Sequence, residues 1–150
     1  MAEMNMNRRL PVGIQSFKEI RTEKLLYVDK TDLIWNLVNR GDKYNYLSRP
    51  RRFGKSVLID TLQMYLEGRK ELFEGLKIME LEKEWVKRPF IRLDMIQAGA
   101  ESKSVRSYLD DAFHTYETEY GIVIRQESSL AVKLSTTPDS SVPIVANTIA

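Results

Sequence analysis

Gly54, Lys55 and Ser56 stand where a basic loop gives way to an apolar helical pattern, and those three residue types in that order suit the holding of phosphate. The run Tyr44-Asn45-Tyr46-Leu47-Ser48-Arg49-Pro50-Arg51-Arg52-Phe53-Gly54-Lys55-Ser56-Val57-Leu58 reads as strand, basic loop, Gly-Lys-Ser and helix. A glycine there lets the backbone approach an anion without a side chain in the way, and the amides of the helix start point at that anion. In such loops the lysine reaches the β- and γ-phosphates of a nucleoside triphosphate and the serine ligates Mg²⁺, which assigns those roles to Lys55 and Ser56. Measured against G-x-x-x-x-G-K-[ST], the pattern is incomplete, because Arg49 occupies the position of the first glycine. The competing reading is a basic surface turn that opens a helix.

Other residues with chemical potential are less well placed. Asp94 ends an apolar run and is a candidate Mg²⁺ carboxylate, but Arg92 interrupts that run and no second carboxylate follows, so a strand-end residue near the rim of a site is the simpler expectation. His114 is the single histidine, which excludes a histidine-rich metal site, and its neighbours Asp110, Asp111, Glu117 and Thr118 suit a hydrated helix face. Asp110-Asp111 and Glu117 with Glu119 read the same way, since no site element converges on them. Tyr27 is a candidate for stacking on a base, with a core role as the alternative; Trp35 and Trp85 are expected in the core or at its boundary. Arg49, Arg51, Arg52 and Lys55 gather four cations within seven residues, so a second function class stays open: a non-enzymatic module whose basic loop meets nucleic-acid phosphates. Phe53 is the one aromatic among them, which is thin for single-strand stacking.

These residues need elements to position them. Phe17 and Ile20, three apart, suit one helical turn against a core, and Leu25 to Val28 form a compact apolar run. Asp29 is placed to N-cap a helix that carries Leu33, Ile34, Leu37 and Val38 inward, has Asp32 in its first turn and ends at Gly41. Leu58, Leu62, Tyr65 and Leu66 form the apolar stripe of the helix after Gly54, with Gly68 as its stop. Leu72-Phe73-Glu74-Gly75-Leu76 and Trp85 lead to a second strand, Phe90 to Asp94, with Pro89 at its start where no ladder donor is needed. A long helix from Ser102 or Ser104 follows, with Val105, Leu109, Ala112, Phe113, Tyr116 and Tyr120 at steps of three and four and Gly121 beyond its end. Strand, helix, strand, helix predicts an α/β fold, a three-layer P-loop NTPase-like core with the phosphate site outside the carboxyl end of its first strand. Residues 126–150 read as a loop-like tail ending in a small apolar stretch.

Composition sets the bounds. The chain has 150 residues, 43% hydrophobic and 29% charged, with a net charge of +2, as expected for one globular domain and not for a disordered segment. It has no cysteine, which excludes disulfides and thiolate metal sites. Met1 to Arg9 is polar and no run is long and apolar enough to span a bilayer, so the expectation is a cytoplasmic protein with no membrane partner.

Four segments together, Leu-Pro-Val-Gly-Ile-Gln at 10–15, Tyr-Val-Asp-Lys-Thr at 27–31, Leu-Ser-Arg-Pro-Arg-Arg-Phe-Gly-Lys-Ser at 47–56 and Leu-Phe-Glu-Gly-Leu at 72–76, resemble the bacterial AAA-ATPase-like family. In that family arginine is usual at the first-glycine position, so the resemblance removes the objection raised by Arg49. It implies a P-loop domain over residues 10–125, binding ATP and Mg²⁺ through Arg51, Arg52, Phe53, Gly54, Lys55, Ser56 and Val57, with Ser56 on the metal. Members are often longer and carry a C-terminal PD-(D/E)XK nuclease-like domain, so any nucleic-acid partner is expected to act through such a separate domain. The acidic Walker B strand of the family is expected beyond Ala150, and residues 126–150 do not look like the family. The expectation is therefore the N-terminal half of an ATPase core, one that binds ATP, with no catalytic residue assigned.

Overall fold

A computed structural model describes residues 8–40, 45–48, 50, 53–94, 104–121 and 144–147. The chain divides into two compact units, Met1–Lys87 and Arg88–Ala150.

The first unit is helical. Helix α1 (Phe17–Thr22) buries Phe17 and Ile20, as their spacing requires, and Ser16 caps it by accepting a hydrogen bond from the Glu19 amide at 3.4 Å. Helix α2 (Thr31–Asn39) buries Thr31 and Ile34, and helix α3 (Lys55–Leu66) buries Thr61, Leu62, Met64, Tyr65 and Leu66. A 3₁₀ turn (Lys70–Phe73) and the short α4 (Ile78–Leu81) follow. Helix α3 packs against both α1 and α2. Its end is a left-handed glycine stop: Gly68 has φ 71°, its amide bonds to Tyr65 O at 3.0 Å, and the Arg69 amide returns to Met64 O at 3.1 Å. The core is aromatic, with Phe17 5.0 Å from Phe73 and from Tyr27, and Trp85 5.1 Å from Phe73 and 5.6 Å from Tyr65 between ring centroids.

Two expectations for this unit fail. Residues 45–48 form no regular structure where a strand was expected before Gly54; Tyr44 lies outside the described residues. A strand needs a ladder partner, and among the described residues the one ladder joins segments of the other unit. In α2 the buried stripe runs through Thr31 and Ile34, whereas Leu33 and Leu37 are exposed, Leu33 at 52%. Buried Thr31 is polar, so a stripe counted on apolar residues alone was rotated away from the true one.

The second unit is a parallel β-α-β arrangement. Strand β1 (Ile91–Asp94) pairs in parallel with β2 (Ile144–Asn147), in the register Ile91 with Ile144 through Asp94 with Asn147. Helix α5 (Val105–Tyr120) lies between them in sequence, capped by Ser104, whose hydroxyl accepts from the Ser107 amide at 3.2 Å, and closed by Gly121 at φ 64°. Leu109 and Phe113 of α5 pack with Ile91 and Leu93, and Tyr108, Ala112 and Tyr116 flank them. Strand β2 falls inside the stretch read as a loop-like tail. The fold is thus mixed α and β, with helices predominating.

Candidate phosphate-binding turn

The chain enters α3 through Gly54, which serves as its N-cap with φ 76° and ψ 20°. That left-handed conformation costs a residue with a Cβ about 1–2 kcal/mol, which is why glycine stands here. Leu58 N donates to Gly54 O at 3.0 Å, closing the first helical turn. No side chain caps this end. The first amides of a helix have no partner within it, and they carry the positive end of the helix dipole. Among the described residues nothing beyond its chain neighbours lies within 4 Å of the position a Gly54 Cβ would take. Lys55, Ser56 and Val57 form the first turn of α3, each half-buried, while Phe53 is 65% exposed. The structure therefore brings Phe53 through Val57 together at one helix start. Arg49, Arg51 and Arg52 lie outside the described residues.

Helix α3 is anchored to its neighbours by polar contacts that follow its apolar stripe. Asp60 Oδ2 accepts from the Phe17 amide at 2.6 Å and from the Ser16 hydroxyl at 3.3 Å, tying the start of α1 to the second turn of α3. Thr61 Oγ1 donates to Val57 O at 2.7 Å and lies 3.5 Å from the Tyr27 hydroxyl. Tyr65 donates its hydroxyl proton to Glu82. Periodicity offers no signal for Asp60, because its partner is a backbone amide far away in sequence.

Asp29 and Thr31 form a clamp. Asp29 Oδ1 accepts from the Thr31 amide at 2.9 Å and its hydroxyl at 2.7 Å, and Asp29 Oδ2 accepts from the Lys77 amide at 2.8 Å. Thr31 Oγ1 in turn accepts from the Ile78 amide at 3.1 Å. The Asp-Lys-Thr segment thus holds the start of α4 as well as that of α2. The formal N-cap of α2 is Lys30, so Asp29 acts from one residue further out than expected. Burial alone pushes the Asp29 carboxyl up, but the amides of Lys77 and Thr31, the Thr31 hydroxyl and the Lys77 ammonium outweigh it and hold the pKa below its ordinary value. Arg21 supplies a second tie, donating from Nε to Leu72 O at 2.7 Å and from a terminal nitrogen to Glu74 O at 2.6 Å. Burial, with Arg8 adding to it, lowers the Arg21 pKa against the opposing pull of Tyr27, Asp29 and Glu74.

The remaining candidates are placed as follows. Tyr27 is half-buried beside the aromatic core: its ring meets Phe17 edge-on, and burial raises its pKa despite the Thr61 hydrogen bond. His114 is exposed on α5 with Glu117 at 3.6 Å. Asp94 ends β1, aligned with Asn147. Among the described residues no group of three or more His, Cys, Asp or Glu is arranged to hold a metal, and no helix is long and apolar enough to cross a membrane.

A helix opened by a left-handed glycine and begun by Lys-Ser, in a chain that also carries a parallel β-α-β unit, defines a mixed α/β protein with a helix start suited to an anion. The chain belongs to the predicted AAA-ATPase family, whose model matches residues 11–148. That match continues past residue 125, through β2. A relative from Azotobacter chroococcum mcd 1, described as an uncharacterized protein in the vnfD 5' region, is 43% identical over 88 residues, covering 57% of this chain and 17% of the relative. No solved structure gives a significant match.

Proposed function

We propose that the Gly54 turn binds the phosphates of ATP. The observation that carries this reading is the left-handed Gly54 at the N-cap of a 12-residue helix that begins Lys55-Ser56, with none of the described residues beyond its chain neighbours within 4 Å of where a Cβ would project. Membership of the predicted AAA-ATPase family supports it. In this reading the amides of Gly54, Lys55, Ser56 and Val57 face the phosphates, and the Lys55 ammonium offsets their charge. Arg51 and Arg52, which directly precede the turn in sequence, and Phe53 complete the proposed set of binding residues. The donor set fits Mg²⁺ as far as one hydroxyl, Ser56, beside the nucleotide's own oxygens; the metal would neutralise phosphate charge. In this reading the turn belongs to a three-layer P-loop NTPase-like core. No hydrolytic residue is assigned, so the proposed activity is binding.

Titration of a fluorescent ATP analogue with Mg²⁺ tests it. Wild type binds, and Lys55→Ala weakens binding by about tenfold or more, the worth of a charge-assisted hydrogen bond. Equal affinity in the two proteins, or none in either, rejects the proposal. DNA retention that ATP does not disturb, without ATP binding, favours nucleic-acid phosphates as the ligand of the basic loop.

A further inference from the structure

Tyr116 makes an unusual pair of bonds with one residue of β1. Its hydroxyl accepts from Arg92 N at 3.1 Å and donates to Arg92 O at 3.0 Å. In an extended strand a residue's own N–H and C=O point to the same edge, and successive residues alternate between edges. A hydroxyl occupying both groups of Arg92 therefore marks the edge opposite β2, the edge that the backbones of Phe90 and Asp94 also face. There Tyr116 does for Arg92 what a neighbouring strand would do. Its ring is held in place among Ile91, Leu93, Leu109 and Phe113.

We infer that Tyr116 is an edge plug, which closes β1 to the addition of a strand from a second copy of this chain. An uncovered edge carrying Phe90-Ile91-Arg92-Leu93 is a template for pairing with another chain, a hazard that proteins with open sheets must block. The sequence of the edge selects a second copy as the occupant. Antiparallel self-pairing about Leu93 sets Arg92 of each copy directly opposite Asp94 of the other. Both residues face the shared edge and so form hydrogen-bonded pairs, with opposite charges aligned. The plug is a single hydroxyl, so its removal leaves the packing of the ring intact.

Tyr116→Phe in the full chain tests this. The Arg92 amide exchanges about tenfold faster than in wild type, the factor one hydrogen bond represents, while the amides of Ile91 and Leu93, which face β2, keep their rates. Sedimentation shows concentration-dependent association beyond that of wild type. Adding Arg92→Pro, which deletes an N–H that the β1–β2 ladder does not use, returns sedimentation to the wild-type pattern. Unchanged exchange and sedimentation in Tyr116→Phe, or association that persists with proline at 92, overturns the inference. Should Tyr116→Phe fail to fold, Arg92→Pro alone decides. A cooperative melt supports the edge assignment, and loss of the fold refutes it.

Discussion

Replacing Asp29 with alanine removes the acceptor of three hydrogen bonds at once, from the Thr31 amide, the Thr31 hydroxyl and the Lys77 amide. A lost helix cap costs about 0.5–2 kcal/mol and a hydrogen bond to a charged group about 1.5–3 kcal/mol, but these do not add, and water reaches the half-buried clamp. A net loss of about 2 kcal/mol is expected for Asp29→Ala, and about half of that for Asp29→Asn, which keeps one oxygen and so serves only one arm. The sign of the pH dependence follows from the lowered pKa. Asp29 ionises more readily in the folded chain than at its ordinary 3.8, so its contribution is fully present above 3.8 and is lost as pH falls through the lower folded value. Urea unfolding followed by Trp fluorescence reads both effects, because Trp85 sits in the aromatic core. The gap between wild type and Asp29→Ala should be widest at neutral pH and narrow in acid. A gap below about 0.5 kcal/mol at neutral pH, the scatter expected of a surface substitution, would refute the clamp.

Two further outcomes follow from the same unit. Gly54→Ala should cost about 1–2 kcal/mol of stability from the left-handed backbone alone, since none of the described residues beyond its chain neighbours lies within 4 Å of the new Cβ, and thermal melting reads it. Arg21→Lys should destabilise by about 1–2 kcal/mol despite conserving charge, because a single ammonium does not reproduce the fork that reaches both Leu72 O and Glu74 O; equal urea midpoints for the two proteins would contradict this.

Local signals were readable in the sequence where the partners of a residue are near it in the chain. Both ends of α5 were written by Ser104 and Gly121, and the buried face of α3 by Leu62, Tyr65 and Leu66. The turn at Gly54 was likewise visible as Gly-Lys-Ser before an apolar stripe. What escaped was set by distant contacts. Strand β2 owes its state to a ladder with β1, and Ile-Val-Ala-Asn is too short to announce itself by alternation. Asp60 looks like an ordinary polar residue of a helix until α1 is laid against it. Similarly, the Asp-Lys-Thr and Leu-Phe-Glu-Gly-Leu segments are separate motifs in sequence, yet the clamp grips the two residues that directly follow the second of them, Lys77 and Ile78.

Amide NMR of the isotopically labelled full chain, titrated with ATP and Mg²⁺, bears most directly on the role of the Gly54 turn. The largest shifts should fall on the amides of Gly54, Lys55, Ser56 and Val57, with smaller ones spreading along α3 toward Asp60. Shifts that leave those four amides unmoved, while ATP binds elsewhere on the chain, would contradict it.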